Sequence, residues 1–389
     1  MSDTTRRQKA SLDLPLILSC MALMTLGIIM IYSTTSRIPV EEGHLSNVQI
    51  QLLAEFIGVV GVVIIYALPY KLFRWLGKKP ARYVILVIAF VSLLLLFTPL
   101  AHSAKGATRW ISVGPLHIQP AEFIKIAIIF FAAGFLSDHP NTINTKFGFG
   151  WSFGMVALFA GLVYGISNNL SSAIIIAAIG VAMIMAASNK WILQLLVYSI
   201  GVVLIVIYAM GKAHAAQAKG PEAVENLKFR YKRILIWENP SDPQFLQVGG
   251  YQTMQALYAI GSGGPQGKGI GKSVQKLDVI PEVHNDMIYS VLCEELGLFG
   301  VVAIFFLFGV LLFRCLAIGL GAKDSYGTLI CLGVMVHIGL QVILNVMVVT
   351  NTMPNTGVSL PFISYGGSSA VFILAEVGLV LRVARENAA

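Results

Sequence analysis

Apolar residues run through this chain in long blocks, and short polar stretches separate the blocks. A helix needs about 20 apolar residues to cross the hydrocarbon core of a bilayer. Each block must be helical, because lipid offers no hydrogen-bond partner to an exposed backbone amide. The pattern therefore predicts ten transmembrane helices, at 14–33, 50–68, 83–101, 120–137, 151–167, 170–187, 191–210, 287–313, 326–350 and 361–381.

The longest polar interval, residues 211–286, separates the seventh and eighth predicted helices. It contains aromatic residues such as Phe229, Tyr231 and Trp237, which disordered segments usually lack. We expect a folded loop, with a short amphipathic helix at 252–260 before a glycine-rich run at 261–271. The predicted fold class is all-α: a polytopic membrane bundle of ten helices with one large loop. Residues 1–13 form a tail, and residues 14–389 form the membrane domain.

Composition supports the membrane class. Of the 389 residues, 56% are hydrophobic and 12% are charged, whereas soluble domains carry about 25% charged residues. The net charge of +8 does not indicate nucleic-acid binding, because the basic residues lie between apolar blocks, where they set topology. The four cysteines lie in or beside apolar blocks at no metal-binding spacing, so neither a disulfide framework nor a metal cluster is predicted.

The distribution of basic residues predicts the orientation. If the N-terminus is cytoplasmic, the inside segments carry fourteen Lys and Arg residues, and the short outside segments carry three. Lys and Arg concentrate in cytoplasmic loops, and long loops are exempt from this rule. We therefore predict that both termini are cytoplasmic and that loop 211–286 is extracytoplasmic.

Charged residues within or beside membrane helices are expensive and often functional. Asp286 stands at the mouth of the eighth predicted helix, at the outer boundary of the membrane. A partly desolvated carboxylate there suits a general base. Asp is also a preferred helix N-cap, so a purely structural role stays open.

Two further candidates lie near the outer end of the fourth predicted helix. Glu122 and Lys125 are three residues apart, share one helix face and can pair. The pair could pack the bundle, or Lys125 could hold an anion. Arg109 precedes Trp110 in a short outside loop, where it could anchor at the interface or grip a phosphate with its planar guanidinium.

The glycine-rich run and the residues after it contain three lysines at intervals of four, Lys268, Lys272 and Lys276. Glycine-rich turns can present backbone amides to phosphates, but the spacing is not that of a P-loop. A solvated basic loop is the simple alternative. We retain Lys272 and Lys276 as candidate phosphate ligands.

Residues 351–369 are unusually polar for a membrane segment and contain Pro354, Ser364 and Tyr365. Non-helical backbone at membrane depth is tolerated only where protein buries it or it lines a cavity. We therefore predict a re-entrant loop and a polar cavity on the outer side, with Ser364 and Tyr365 as candidate binding residues. Glu294, two helical turns beyond Asp286, could line the same cavity.

Four blocks of sequence resemble the SEDS family (shape, elongation, division, sporulation), which comprises the FtsW, SpoVE and RodA proteins. The match covers nearly the whole chain, in order. The stretch 271–276 is more similar to the FtsW/SpoVE branch than to RodA. Met287 stands where the family usually has Phe after the key acid, which should alter packing and not chemistry. The blocks are GATRW with QPAEFIK (106–110 and 119–125), GYQTMQALYAIGSGGPQGKGIG (250–271), PEVHNDMIYSVLCEELG (281–297) and PNTGVSLPFISYGGSS (354–369).

The resemblance implies a peptidoglycan glycosyltransferase in the bacterial cytoplasmic membrane that polymerises lipid II into glycan strands for septal or spore wall. Asp286 matches the family's essential acid, and Arg109, Glu122 and Lys125 match polar residues of its central cavity. The implied partners are a class b penicillin-binding protein with transpeptidase activity, other division proteins and membrane lipids. A divalent cation, Mg²⁺ or Mn²⁺, could assist the pyrophosphate, although no dedicated ligand cluster is evident.

Three other functions stay open at this point. A lipid II flippase would use the same bundle and cavity, but it needs sites reachable from both leaflets, whereas the candidates cluster on the outer side. A non-catalytic division scaffold would tolerate neutralisation of the acid and the basic residues. A small-ion transporter fits the bundle but not the position of Asp286 near the outer boundary.

Overall fold

The computed structural model of the chain describes residues 12–36, 45–104, 107–114, 116–246, 249–276 and 283–388. Residues 1–11 of the predicted tail, with three of the basic residues counted for the orientation, lie outside the described residues. So do residues 105–106 and 281–282 at the edges of two of the family-like blocks.

The described residues form fourteen α-helices and one small sheet. Nine of the helices are long and apolar enough to cross a membrane, and one bent pair brings the number to ten. The predicted class, a polytopic helical membrane bundle, is confirmed. The helices are α1 (Leu14–Thr35), α2 (Asn47–Ala67), α3 (Tyr70–Leu76), α4 (Ala81–Leu94), α5 (Pro120–Asp138), α6 (Lys146–Ser167), α7 (Leu170–Ala187), α8 (Trp191–Gln217), α9 (Pro221–Glu225), α10 (Phe229–Glu238), α11 (Gly250–Gly263), α12 (Ile288–Leu320), α13 (Ser325–Val349) and α14 (Gly367–Ala388).

The helix starts follow from local capping chemistry. Ser46 and Gln49 form a reciprocal capping box at the start of α2, and Asp324 accepts the Gly327 amide at the start of α13. Such side chains satisfy backbone N–H groups that the first helical turn leaves without partners. Pro120 occupies the first position of α5, where its missing N–H costs nothing.

The third predicted span, 83–101, differs from the structure. Helices α3 and α4 meet at a bend of 72°, and α4 gives way to a 3₁₀ turn at Leu95–Phe97. The break falls at the Gly77 and Pro80 positions between the helices, because proline and glycine interrupt helical hydrogen bonding. The predicted helix was too long at its C-terminal end, because helical structure stops at Phe97 and strand begins at Ala101.

A three-stranded antiparallel sheet follows the bend, in the order β1 (Ala101–Ala104), β2 (Ala107–Val113) and β3 (Leu116–Ile118). The strands were not predicted, because each is short and the apolar block leads directly into β1. The sheet lies between α4 and α5 in sequence and carries Arg109 on β2.

Packing places α5 at the centre, where nearly all of its apolar span is buried by other helices. Helix α2 packs along α14, and α12 packs along α13 and α1. Inside the bundle, His337 of α13 and Glu376 of α14 form a fully buried pair with Nδ1 and Oε2 2.8 Å apart. Helix α8 is the least buried span.

The described parts of the predicted loop, 211–246, 249–276 and 283–286, are folded, and residues 247–248 and 277–282 lie outside the described residues. Helix α8 runs on to Gln217, beyond the predicted boundary at 210, and α9, α10 and α11 follow it. The expected amphipathic helix at 252–260 is confirmed as the middle of α11. A second small core fastens α10 to the end of α8 and contains Ala213, Val224, Ile234, Leu235, Ile236 and Phe245.

Both ends of the described chain lie at one face of the bundle. Arg314 near the end of α12 pairs with Asp13 at the start of α1, and Asn387 of α14 donates to the Ile318 carbonyl of α12 over 3.0 Å. This arrangement agrees with an even number of crossings. The assignment of that face to the cytoplasm stays a prediction.

Candidate active site

Asp286 lies in the turn that leads into α12, and its backbone is held from α13. Asn345, fully buried on α13, donates from Nδ2 to the Asp286 carbonyl over 2.9 Å and to the Val358 carbonyl over 2.7 Å. A buried side-chain amide that bridges two loops orders both, since its donors would otherwise lack partners. The turn that carries Asp286 and the segment after α13 are therefore tied to one anchor.

The segment after α13, residues 351–366, is non-helical; residues 360–364 are buried, and most of the rest are half-buried. The Tyr365 amide donates to the His284 carbonyl over 2.9 Å, and the two rings meet edge to face at 5.6 Å. Ser364 is buried and its hydroxyl accepts the Leu360 amide over 2.8 Å. Ser364 stabilises the conformation of this segment, and Tyr365 joins the segment to the turn that carries Asp286. Contact of these two residues with substrate stays a prediction.

A short run of this segment, Asn355 to Gly357, lies beside the Asp286 carboxylate. The Asn355 side chain accepts the Gly357 amide over 2.9 Å, and Gly357 has a φ of +69°. A Cβ atom at Gly357 would lie 3.7 Å from Oδ2 of Asp286. Glycine suits this position because it adopts a positive φ without strain and lets the backbone approach the carboxylate.

Arg109 reaches the same region from β2. Its Nη2 donates to the Asn168 carbonyl over 3.0 Å, at the junction of α6 and α7, where Asn168 has a left-handed φ of +50°. Its Nε is buried and has no hydrogen-bond partner among the described residues. Burial lowers the pKa of the Arg109 guanidinium, so this cation is held in a partly desolvated position.

Arg233, on α10, is the residue that the sequence did not reveal. Its Nη1 donates to the Asn355 carbonyl over 2.9 Å. Burial lowers the pKa of Arg233, the nearby positive charge of Arg109 lowers it further, and Asp286 opposes both. One of several basic residues in the loop, Arg233 carries no motif signal. Only the folding of α10 brings it here.

We call Asp286, Arg109 and Arg233 the outer cluster. These residues come from three separate parts of the chain, the turn before α12, β2 and α10. The cluster combines one carboxylate with two guanidinium groups. Such a set offers a base and a pair of anion-binding groups in one place.

Glu122 and Lys125 form the predicted pair near the N-terminus of α5, with Nζ and Oε1 2.7 Å apart, and both side chains are almost fully buried. The second carboxylate oxygen, Oε2, has no partner among the described residues. The Gln119 amide donates to the Ser368 hydroxyl over 3.3 Å, so this end of α5 lies against the start of α14. The pairing is confirmed, and the role of Lys125 as an anion ligand stays a prediction.

Glu294 and Lys276 lie in a second group of charges, which we call the kink cluster: Lys268, Lys276, Glu294 and Glu295. Lys268 contacts Glu294 with Nζ and Oε1 2.6 Å apart, and Lys276 contacts Glu295 at 2.8 Å. Further donors saturate both carboxylates, namely the Ser33 and Ser273 hydroxyls and the Ser273, Val274 and Gln275 amides. Glu294 and Lys276 are therefore both engaged by partners within the kink cluster.

Helix α12 breaks where the kink cluster sits. Gly297 has a φ of +65° and a ψ of −168° inside the helix, and the break frees backbone groups on both sides. The glycine-rich run supplies their partners: the Lys268 amide donates to the Glu294 carbonyl over 2.9 Å, and the Leu298 amide donates to the Gly264 carbonyl over 3.0 Å. Lys272 lies beyond this run with an exposed side chain.

No group of three or more His, Cys, Asp or Glu side chains within the described ranges is placed to hold a metal ion. The Asp286 carboxylate has the Arg233 guanidinium as a neighbour, and a nearby cation makes a poor environment for Mg²⁺ or Mn²⁺. The predicted divalent cation therefore finds no support in this set of side chains.

Comparison with known proteins points to one family. The model of the FtsW, RodA and SpoVE proteins, described as "Cell cycle protein", matches residues 14–389. Stage V sporulation protein E of Bacillus subtilis is 35% identical over 386 residues, covering 97% of this chain and 98% of that protein. A probable peptidoglycan glycosyltransferase FtsW of Trichlorobacter lovleyi is 33% identical over 379 residues, covering 96% and 93%.

Solved structures agree. A chain from a peptidoglycan synthase complex, described in terms of polymerisation and crosslinking, superposes with a TM-score of 0.77 at 25% identity and covers 97% of this chain and 98% of that chain. The rod shape determining protein RodA of Thermus thermophilus superposes with a TM-score of 0.66 at 24% identity and the same coverage. The overall fold thus has known counterparts.

Proposed function

The chain belongs to the FtsW/RodA/SpoVE family of cell cycle proteins, and we propose that it is a peptidoglycan glycosyltransferase that polymerises lipid II. Relatives named as probable peptidoglycan glycosyltransferases support the activity. The observation in this chain that carries the proposal is the outer cluster, in which Arg233 lies near the Asp286 carboxylate and near Arg109.

Asp286 acts as the general base in the proposed reaction. Its carboxylate accepts the proton of a sugar hydroxyl on the acceptor, and the hydroxyl oxygen attacks the anomeric carbon of the donor. The bond from that carbon to the pyrophosphate oxygen breaks, and undecaprenyl pyrophosphate leaves with the electron pair. A single displacement of this kind inverts the anomeric centre. General bases contribute about 10²–10⁴-fold to such rates.

The leaving group gathers negative charge as the bond breaks, so cations near it stabilise the transition state. Arg109 is the first candidate, since its Nε is a buried donor that has no hydrogen-bond partner in the described part of the chain. Lys125 could contribute from α5, and Lys272 from the exposed loop. Lys276 would first have to leave Glu295, which lies 2.8 Å from its Nζ.

The proposal places the enzyme in the bacterial cytoplasmic membrane with both termini cytoplasmic and the outer cluster on the extracytoplasmic side. Its partner is a class b penicillin-binding protein that crosslinks the new strands, together with other division proteins. Similarity to a chain of a peptidoglycan synthase complex supports an assembly of this kind.

The deciding experiment is polymerisation of purified lipid II by the full chain, with and without the partner transpeptidase. Asp286→Ala should lower the rate by about 10²–10⁴-fold, because the base is lost. The matched control is Glu225→Ala, which removes an exposed acid of the same loop and should leave the rate unchanged. If correctly inserted Asp286→Ala formed polymer at the wild-type rate, Asp286 would not be the general base.

A further inference from the structure

We propose that Asn345 is a positioning residue for the reaction: its side-chain amide sets the position of the Asp286 turn relative to the segment that approaches the Asp286 carboxylate. The inference rests on the proposed function, since it concerns how the proposed general base is presented to substrate. Asn345 contacts the backbone of Asp286, so it acts through the base and not as a catalytic residue.

The Asn345 amide bonds two carbonyls at once. Its Nδ2 donates to the Asp286 carbonyl over 2.9 Å and to the Val358 carbonyl over 2.7 Å. A side-chain amide nitrogen carries two N–H groups in one plane, so both donors are used in these bonds. The separation of the two carbonyls is therefore set by the geometry of a single rigid group.

The residue next to Val358 is the one that approaches the base. Gly357 has a φ of +69°, and a Cβ atom placed on it would lie 3.7 Å from Oδ2 of Asp286. Asn345 thus bonds the backbone of Asp286 itself and, on the other side, the backbone directly after Gly357. Its two hydrogen bonds define the spacing between the carboxylate and the chain segment beside it.

The anchor lies on a regular helix, whereas both segments that it holds are non-helical. Asn345 is fully buried on α13 among the buried apolar side chains of Leu344 and Val348. Hydrogen bonds in such surroundings are stronger than in water, and a site supported from a helix is held more precisely than one supported from loops. Helix α13 therefore provides a fixed reference for the position of Asp286.

A second tie joins the same two segments independently of Asn345. The Tyr365 amide donates to the His284 carbonyl over 2.9 Å. Loss of the Asn345 amide should therefore loosen the junction without separating it. A general base must lie within about 2.6–3.2 Å of the proton donor, and a displacement of about 1 Å can lower a rate by about 10²-fold. A loosened junction is thus enough to impair catalysis.

The competing explanation is that Asn345 contributes to stability alone. A purely structural residue changes the fraction of folded protein and leaves turnover per folded molecule as it was. A positioning residue lowers kcat with little effect on KM, and its effect depends on the presence of the base. The two explanations separate when kinetics are normalised to folded protein and repeated without the base.

The experiment compares Asn345→Ala with the control Gln341→Leu in the full chain, each also combined with Asp286→Asn. Gln341 is a buried amide one turn earlier on the same helix, so its replacement matches the loss of a buried polar group. Polymerisation of lipid II gives kcat and KM per folded molecule. Hydrogen exchange of residues 283–287 and 354–366 reports the junction without any turnover.

We expect Asn345→Ala to lower kcat by about ten- to hundredfold, as for a base displaced by about 1 Å, with KM changed by less than about twofold. Hydrogen exchange in both segments should become faster. In the Asp286→Asn background, Asn345→Ala should lower the residual rate no further, because residues that act as a unit are non-additive. Gln341→Leu should keep the wild-type kcat per folded molecule.

A wild-type kcat per folded molecule in Asn345→Ala would overturn the inference, and so would unchanged hydrogen exchange in the two segments. Equal losses of kcat in Asn345→Ala and Gln341→Leu, or a further loss of tenfold or more in the Asp286→Asn background, would overturn it as well. Polymerisation by Asp286→Ala at the wild-type rate would instead contradict the proposed base. Because hydrogen exchange needs no turnover, the two failures are distinguishable.

Discussion

The outer cluster and the kink cluster both lie near the start of α12. Each combines acidic residues of α12 or of the turn before it with basic residues from other parts of the chain. In the kink cluster two carboxylates face two lysines, and serine hydroxyls and backbone amides complete the coordination. In the outer cluster Arg233 lies near the Asp286 carboxylate and near Arg109. The kink cluster is a set of closely paired charges, whereas the outer cluster brings two cations of like charge close together.

The difference indicates what each group does. Buried charges are tolerated when they are paired and fully hydrogen-bonded, and the kink cluster meets that condition without a ligand. It fastens the glycine-rich run to the break in α12. The outer cluster instead contains the proposed general base, Asp286. The same helix thus carries a structural fastening and, just before it, a site arranged for chemistry.

The largest expected effect comes from replacing one acid in each cluster by its amide and comparing activity and stability. Asp286→Asn should lower polymerisation by about 10²–10⁴-fold, because an amide cannot accept the proton, while the melting temperature stays unchanged. Glu294→Gln should lower stability by about 1–3 kcal/mol, because an amide N–H₂ would face buried donors, while turnover per folded molecule is kept. Activity assays and thermal unfolding in detergent measure both. The comparison fails if Glu294→Gln is inactive yet as stable as wild type.

The next effect concerns the break in α12. Gly297→Ala should destabilise the protein by about 2–5 kcal/mol, because Gly297 has a φ of +65° and its new Cβ would clash with the backbone of Gly267. The matched control is Gly309→Ala, on the same helix with open space around it. We expect that control to change stability by less than about 1 kcal/mol. Equal melting temperatures for the two variants would contradict the fastening role.

The smallest effect distinguishes two lysines of one loop. Lys268→Ala removes the partner that lies 2.6 Å from Glu294 and should cost about 1–3 kcal/mol, because the buried carboxylate loses a charged donor. Lys272→Ala removes an exposed side chain and should alter stability by less than about 0.5 kcal/mol. Melting temperatures test this pair. A lower affinity of Lys272→Ala for lipid II at unchanged stability would support Lys272 as a pyrophosphate ligand.

Much of the architecture could be predicted from the sequence. Nine of the ten predicted helices begin within five residues of their predicted starts, because the length of an apolar block is a local property and lipid forces helical hydrogen bonding. The third span was wrong in its extent, since the break between α3 and α4 and the change to strand at Ala101 depend on packing. The tenth helix begins at Gly367 rather than 361, because residues 351–366 are held in non-helical form by contacts with the turn at His284 and with Asn345.

The site was predicted only in part. Asp286, Arg109 and the Glu122–Lys125 pair stood out because charge is rare near membrane helices. Glu294 and Lys276 stood out for the same reason, but the structure shows them in hydrogen-bonded pairs within the kink cluster. A charged residue near a membrane helix is rare because its burial is unfavourable. The sequence does not reveal whether a protein partner or a substrate compensates for that burial.

By itself, the sequence determined that the chain spans a membrane about ten times, that one long segment folds outside the bilayer spans, and which charges are unusual. Tertiary structure alone decided which of those charges meet. Arg233 and Asn355 lie 122 residues apart in the chain, and no periodicity or composition records their contact. Hydrophobic burial acts on each segment locally, whereas the balance of charge at a site depends on the few side chains that folding brings within reach of one another.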